Sequence, residues 1–282
     1  MKKYLPCLAA ATVSVIYGLA YLPIHVLSIL LEGDVMRLLA FRFTLATLGL
    51  ALLILFGVVK VNYKGKQLWR VVLAGLFQPV LYYLCETYGL QQFPSSQAGI
   101  LMAMSPVLST LFAMVVFREF PRSLQWICIA VSVSGVVVLN LRPSGSSSGG
   151  TVLGFFLILG AALMTSCNNI AVRSARAEFT PMDITFLTAV MAAVMFSTLS
   201  LSQHAAAGTL ATYFVPLLDV RVVASVFYLG IVSSIGATML QNNVLSKLPM
   251  VIVSSFAGIA TIVSVLVGVG LLGESYTLRD FI

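Results

Sequence analysis

"FPSSQAGILMAMSPVLSTLFAMVVFRE" (residues 93–119) and "LPMVIVSSFAGIATIVSVLVGVGLLGE" (residues 248–274) are the two stretches on which the fold turns. Laid over one another at an offset of 155 residues, Pro94 falls on Pro249 and Glu119 on Glu274, with 25 residues from proline to acid in each and no gap. The same offset carried outward places Gly75 on Gly230, Ala98 on Val253, Gly99 on Ser254 and Ile127 on Ile282. Single matches of this kind are weak. An ungapped coincidence of helix start, helix end and trailing acid marks an internal repeat.

The surroundings of these stretches decide the solvent. Of 282 residues, 60% are hydrophobic and 9% charged, and the mean hydropathy is +1.04. A soluble domain carries about 25% charged residues, so an ordinary water-facing surface cannot be assembled from this chain. The apolar residues fall in blocks at 5–27, 35–59, 69–91, 95–117, 123–141, 151–172, 182–202, 222–245 and 249–272. Blocks of this kind match the roughly 20 residues a helix needs to cross a bilayer core. The expectation is an all-α polytopic membrane protein. Lys2, Lys3 and the apolar run after them look like a signal peptide, but the spans that follow make them an uncleaved first helix. Cys7, Cys85, Cys128 and Cys167 sit in different segments without a CxxC partner. They read as small core residues, with no metal site and no cofactor implied. The formal charge of +7 forms no patch or motif of a nucleic-acid binder.

"RPSGSSSGGT" (142–151) is a flexible linker by composition. It divides the chain into a first repeat at 1–142, a linker at 143–150 and a second repeat at 151–282. With the N-terminus in the cytoplasm, 11 Lys and Arg fall in inner loops and 4 in outer loops, while Arg42 lies within a span. That bias supports the orientation. Five segments per repeat is an odd number, so the second repeat enters the membrane from the opposite side, as in secondary transporters. On this reading the counterpart of the fifth segment, a tenth helix, is missing from the sequence.

A solute path through lipid needs polar side chains facing inward. In the third segment, Gln78, Tyr82 and Glu86 recur at i, i+4 and i+8, one face of a helix, with Tyr83 beside them. Their repeat counterparts in the eighth segment are Ser233, Ala237 and Gln241. The sixth segment offers Ser166, Asn168 and Asn169, the fourth Met102, and the first Tyr17, Tyr21 and His25. Each tyrosine also has a plain packing role open to it. Asn168 and Asn169 are adjacent and cannot both face one way. Pro79 and Pro106 each free a backbone carbonyl inside a span and are candidate gating or hinge points. Amides and phenols outnumber charges here, which favours a neutral, zwitterionic or cationic solute over a phosphorylated one.

At this point the chain resembles a family, the EamA type of the drug/metabolite transporter superfamily, with two EamA units. The resemblance rests on Arg42-Phe43 in the second segment, on "YGLQQFPSSQAGILMAMSPVLSTLFAMVVFRE" (88–119) and on the later stretch at 248–274. It departs at Tyr17-Gly18, where the family often has Trp-Gly, and at Thr261 where the first repeat has Pro106. The resemblance implies a ten-helix fold of two inverted five-helix repeats, alternating access, and a cavity lined by segments one, three, four, six, eight and nine. It also implies export of amino acids or similar metabolites across the cytoplasmic membrane.

Glu86 keeps three readings. It forms a structural ion pair with Arg42, which lies at similar depth; it is solvated at the outer interface; or it lines the outer vestibule, where it binds a cation or exchanges a proton. Glu86 is the first candidate for proton coupling and His25 the second. The partners expected are a small-molecule substrate and the lipid bilayer, with proton coupling possible and no nucleic acid. The alternatives to a metabolite exporter are a carrier of a cationic amine that uses Glu86 and the tyrosines, or a non-transporting scaffold or sensor. An intramembrane enzyme would need a metal cluster or a nucleophile–base pair at depth. The two histidines, His25 near a helix end and His204 in a loop, provide neither.

Overall fold

The computed structural model describes residues 5–90, 92, 101–102, 104–118, 126–127, 130, 134 and 151–249, and within 252–267 residues 252, 253, 256, 259, 260, 262, 263, 266 and 267. The linker at 143–150, most of the fifth segment, and Pro94, Glu119 and Glu274 of the repeat lie outside the described residues. Every element among the described residues is helical. The helices are α1 Leu5–Leu19, α2 Tyr21–Leu30, α3 Val35–Leu55, α4 Trp69–Gly75, α5 Tyr82–Leu90, α6 Ser105–Phe117, α7 Val152–Ala175, α8 Pro181–Ala206, α9 Val220–Phe227 and α10 Thr238–Lys247. A kink within Leu76–Leu81 joins α4 to α5, and a stretch of wider, π-type winding, Tyr228–Ala237, joins α9 to α10.

Five helical runs, Leu5–Leu30, Val35–Leu55, Val152–Ala175, Pro181–Ala206 and Val220–Lys247, are long and apolar enough to cross a membrane. They coincide with the first, second, sixth, seventh and eighth apolar blocks. The protein is an all-α multi-pass membrane protein.

The helix starts follow from local chemistry. Asp34 caps α3 by accepting from the Arg37 amide, and Thr151 caps α7 by accepting from the Gly154 amide. Thr180 and Asp183 form a reciprocal capping box on α8, with Pro181 at the first turn where its missing N–H costs nothing. The α1–α2 junction falls just before Pro23, which cannot donate to the carbonyl four residues earlier. The third segment kinks within Leu76–Leu81 because Gln78 takes an extended conformation (φ −144°, ψ 123°). A residue preceding proline is pushed away from the helical region by the proline ring. The Gln78–Pro79 peptide is cis.

The described chain forms two compact units. The first comprises Met1–Tyr63, Phe179–Lys247 and Phe256–Ile282; the second comprises Lys64–Glu178 and Leu248–Ser255. Within the first, α3 packs along α8 through Ala46, Leu50, Met182 and Ala189, with Ile235 of the wide-wound stretch completing the cluster. Phe43 stacks on the fully buried Phe196 at 5.8 Å between ring centroids. Gly18 lies so close to Val263 and Ala260 that a Cβ there would meet them at 2.6 and 2.8 Å. In the second unit, Leu101 and Ile158 are buried against Met102 and Phe155. A Cβ on Gly89 would come within 2.7 Å of Ile158 Cδ1, so the glycine is what lets α5 lie directly on α7.

Apolar side chains also point outward along the spans, among them Leu48, Leu52, Leu55, Phe156 and Val194. Outward apolar surfaces on such spans suit contact with lipid. The segment between α8 and α9 continues that pattern outside the spans. No charged residue occurs from Ala205 to Leu218, and Leu210, Phe214, Val215 and Leu218 are exposed. Tyr213, in contrast, is buried and held by Arg37, whose Nε donates to the Tyr213 carbonyl at 2.9 Å and whose Nη2 donates to the Thr212 carbonyl at 2.7 Å. A segment pinned on one side and apolar on the other suits the bilayer interface.

Two outcomes are expected. Gly89→Leu overfills the α5–α7 contact and should lower stability by about 1–3 kcal/mol, read as a lower Tm of the purified protein in detergent; an unchanged Tm would mean the contact is loose. In a Trp69→Phe, Trp126→Phe background, Leu218→Trp should be quenched by lipids brominated near the headgroup and be shielded from aqueous iodide. The reverse pattern would place the segment in water.

Candidate functional site

The second unit gathers a polar seam from three helical stretches. Gln78 sits at the kink of the third segment, Tyr82, Tyr83 and Glu86 on α5, Ser105 and Ser109 on α6, and Ser166, Asn168 and Asn169 on α7. Asn168 Nδ2 donates to Gln78 Oε1 at 3.0 Å, and Asn169 Nδ2 donates to Ser109 Oγ at 3.2 Å. The adjacent amides therefore reach different helices. Ser166 Oγ lies 3.0 Å from the Ser105 carbonyl and 2.9 Å from the Ala162 carbonyl of its own helix, with one proton to share between them. Tyr82 Oη donates to Glu86 Oε1 at 2.6 Å, the short separation of a phenol bonded to a carboxylate. The Tyr82 and Tyr83 rings meet edge to face, 4.8 Å between centroids.

Burial divides these residues by role. Ser109 and Ser166 are buried, whereas Gln78, Tyr82, Tyr83, Glu86, Asn168 and Asn169 are only half-buried. Half-buried amides, phenols and a carboxylate, held by one another, can exchange one of those partners for a solute. Met102 is part of the apolar packing beside the seam.

The first unit has its own polar line. Tyr17 Oη lies 3.4 Å from Thr238 Oγ1, and Thr238 Oγ1 donates to the Ser233 carbonyl at 3.4 Å. Tyr228 Oη donates to the Ile16 carbonyl at 3.0 Å. Ser233 is fully buried and Ser234 nearly so. Arg42, also buried, donates from Nε to Ser234 Oγ at 2.8 Å and from Nη2 to Ser233 Oγ at 3.2 Å. Its guanidinium lies 5.3 Å from the Phe43 ring centroid. Gln241 is half-buried on α10, and its neighbour Asn242 is buried and donates to Thr185 Oγ1 at 2.9 Å. His25 is exposed. The side chains of Tyr21 and Pro106 lie outside the described residues. Arg42 belongs to the first unit and Glu86 to the second.

Sequence reasoning missed two clusters at the ends of the spans. His204 is in the last turn of α8, not in a loop, because "SQHAA" carries no apolar signal by which to extend the helix. Its Nε2 lies 3.3 Å from Asp34 Oδ2, its Nδ1 lies 3.0 Å from the Ser200 carbonyl, and its ring packs edge-on against Tyr213. At the other end of the first unit, the fully buried Asp183 accepts from the Asn62 and Thr180 amides at 2.9 and 2.8 Å, and Tyr63 Oη donates to the Asp183 carbonyl at 2.8 Å. Burial pushes the Tyr63 phenol well above its ordinary value, and the Asp183 charge adds to the effect. In the second unit Arg70 pairs with Glu178 at 3.1 Å.

Spanning helices with amides, hydroxyls, phenols and one carboxylate along their protein-facing seams define a class, the multi-pass membrane transporter. The comparisons agree. The EamA-like transporter family matches residues 5–141 and 152–282, and the chain belongs to that family. A relative named "Uncharacterized transporter YcxC" from Bacillus subtilis (strain 168) is 32% identical over 268 residues, covering 95% of this chain and 85% of the relative. A second, "Uncharacterized transporter YetK" from the same organism, is 31% identical over 91 residues, 30% of this chain and 28% of the relative. A solved crystal structure aligns with a TM-score of 0.65 at 19% identity, over 98% of this chain and 91% of its own, which shows a shared fold.

The Tyr63 environment gives a pH expectation. A phenol whose folded-state pKa is raised contributes stability below the ordinary tyrosine pKa of about 10 and loses it as pH rises through the raised value. Above pH 10, thermal stability should therefore fall more steeply in the wild type than in Tyr63→Phe. Equal slopes would show that the phenol is not protected.

Proposed function

We propose that the chain carries a small neutral or zwitterionic metabolite, an amino acid or a close analogue, out of the cell across the cytoplasmic membrane by alternating access, with its N-terminus in the cytoplasm. The observation that carries this reading is the Gln78–Asn168 and Ser109–Asn169 pairs beside the Tyr82–Glu86 bond. Amide pairs of this kind offer both donors and acceptors, which suits the carboxylate and ammonium of an amino acid. Glu86 supplies one negative charge to meet the ammonium, and family membership supports transport itself.

A second reading has a specific observation behind it. Tyr82 and Tyr83 form an aromatic corner beside Glu86, the arrangement that holds a cationic amine through ring faces and one carboxylate. Glu86 is also the residue we place first for proton exchange.

Counterflow into proteoliposomes loaded with unlabelled solute separates the two. Uptake of labelled amino acids and little uptake of quaternary amines supports the first reading; the opposite preference supports the second, and no counterflow of either class removes both. For the preferred solute, Asn168→Ala should raise KM about tenfold, the worth of one hydrogen bond of about 1–1.5 kcal/mol. Glu86→Gln should leave the protein folded and impair transport. Transport equal to wild type across the pH range would take Glu86 out of the mechanism.

A further inference from the structure

The kink of the third segment and the wide-wound stretch of the eighth occupy corresponding places in the repeat. At the 155-residue offset of the sequence repeat, Gln78 falls on Ser233, and each lies inside its stretch, Leu76–Leu81 or Tyr228–Ala237. Each also accepts a hydrogen bond from a polar side chain of a neighbouring helix in its own unit. Asn168 serves Gln78 at 3.0 Å, and Arg42 serves Ser233 at 3.2 Å. Proline alone does not explain the pair. Pro79 lies in the first stretch, while Tyr228–Ala237 contains no proline.

The contact in the first unit is closer than a chance meeting of helices. A Cβ on Gly230 would meet the Arg42 carbonyl at 3.0 Å and Leu45 Cβ at 3.2 Å, so α3 runs directly against the start of the wide winding. The Arg42 guanidinium then spans two successive serines, Nε to Ser234 and Nη2 to Ser233. This two-point grip fixes the rotation of the stretch about its axis, and a single point charge could not do the same. The effect is passed on. The Ser233 carbonyl accepts from Thr238 Oγ1, which in turn lies 3.4 Å from Tyr17 Oη. An arginine buried within a spanning helix is costly and tends to be kept where it serves function.

We propose that Arg42 is a positioning residue for transport: by gripping Ser233 and Ser234 it sets the wide winding of Tyr228–Ala237 and, through Thr238, the place of Tyr17. The Asn168–Gln78 bond is its counterpart in the second unit. The proposal rests on the transport reading for its kinetic consequence and stands apart from it for its structural one.

The test uses the full-length protein in two variants, Arg42→Lys, which keeps the charge and loses the fork, and Ser233→Ala/Ser234→Ala, which removes the acceptors and leaves Arg42 in place. Hydrogen–deuterium exchange of peptides covering 228–237 is compared with peptides from α8. Counterflow gives kcat and KM per folded transporter. In both variants, exchange across 228–237 should quicken with α8 unchanged, and kcat should fall about tenfold with KM within twofold of wild type. Unchanged exchange at 228–237 overturns the proposal, as does faster exchange with unchanged kcat. If Arg42→Lys does not fold, the serine double variant decides by the same criteria. If wild type moves neither solute class the transport reading fails, and the exchange result alone still decides whether Arg42 sets the winding.

Discussion

A hydrocarbon layer offers no partner to a peptide N–H or C=O, so any departure from regular helix inside it must be held by groups the protein itself supplies. In this chain polar side chains gather where the regular helix is interrupted. Where Pro79 forces Gln78 out of helical geometry, Asn168 reaches over from α7 to the glutamine side chain. Where the eighth segment widens without a proline, Arg42 and Thr238 bond to it. Several of the polar residues that invite a transport reading are bonded to side chains at the places where the helices are irregular. A membrane protein that bends its helices has to place hydrogen-bonding side chains at the bends, and a solute can then use them.

The same economy appears at the span ends. Arg37, Asp34, His204 and Tyr213 tie the start of α3 to the segment after α8, and Asp183, Asn62 and Tyr63 tie the end of the second segment to the start of α8. Both clusters belong to the first unit, and both brace the α3–α8 pair whose shared face is filled by Ala46, Leu50, Met182 and Ala189. Small residues along the spans allow close packing, while charged and aromatic groups close it off at the helix ends.

Much of this was legible in the sequence, for uneven reasons. Apolar blocks reveal spanning helices because lipid demands long unbroken hydrophobicity, and five of the nine blocks stand as such helices among the described residues. The four-residue spacing of Tyr82 and Glu86 foretold that they share a face, and they are bonded to each other. Gln78 was harder, since the extended backbone at that residue interrupts the helical register that its spacing assumed. The partners of Arg42 could not be read at all. Ser233 and Ser234 lie more than 190 positions away, and nothing local to "RF" points to them. The grouping of helices was hidden for a similar reason, because Ser/Gly composition at 143–150 says nothing of which segments pack together.

That grouping separates chain order from spatial order. The two EamA matches run from 5 to 141 and from 152 to 282, yet each compact unit draws helices from both sides of the linker. α3 finds its main partner, α8, beyond the linker, and α5 finds α7 there too. A protein severed at the linker would therefore yield two fragments, neither owning a whole unit, and each would have to recruit the other within the bilayer to become compact. A single repeat on its own would likewise hold only part of each unit.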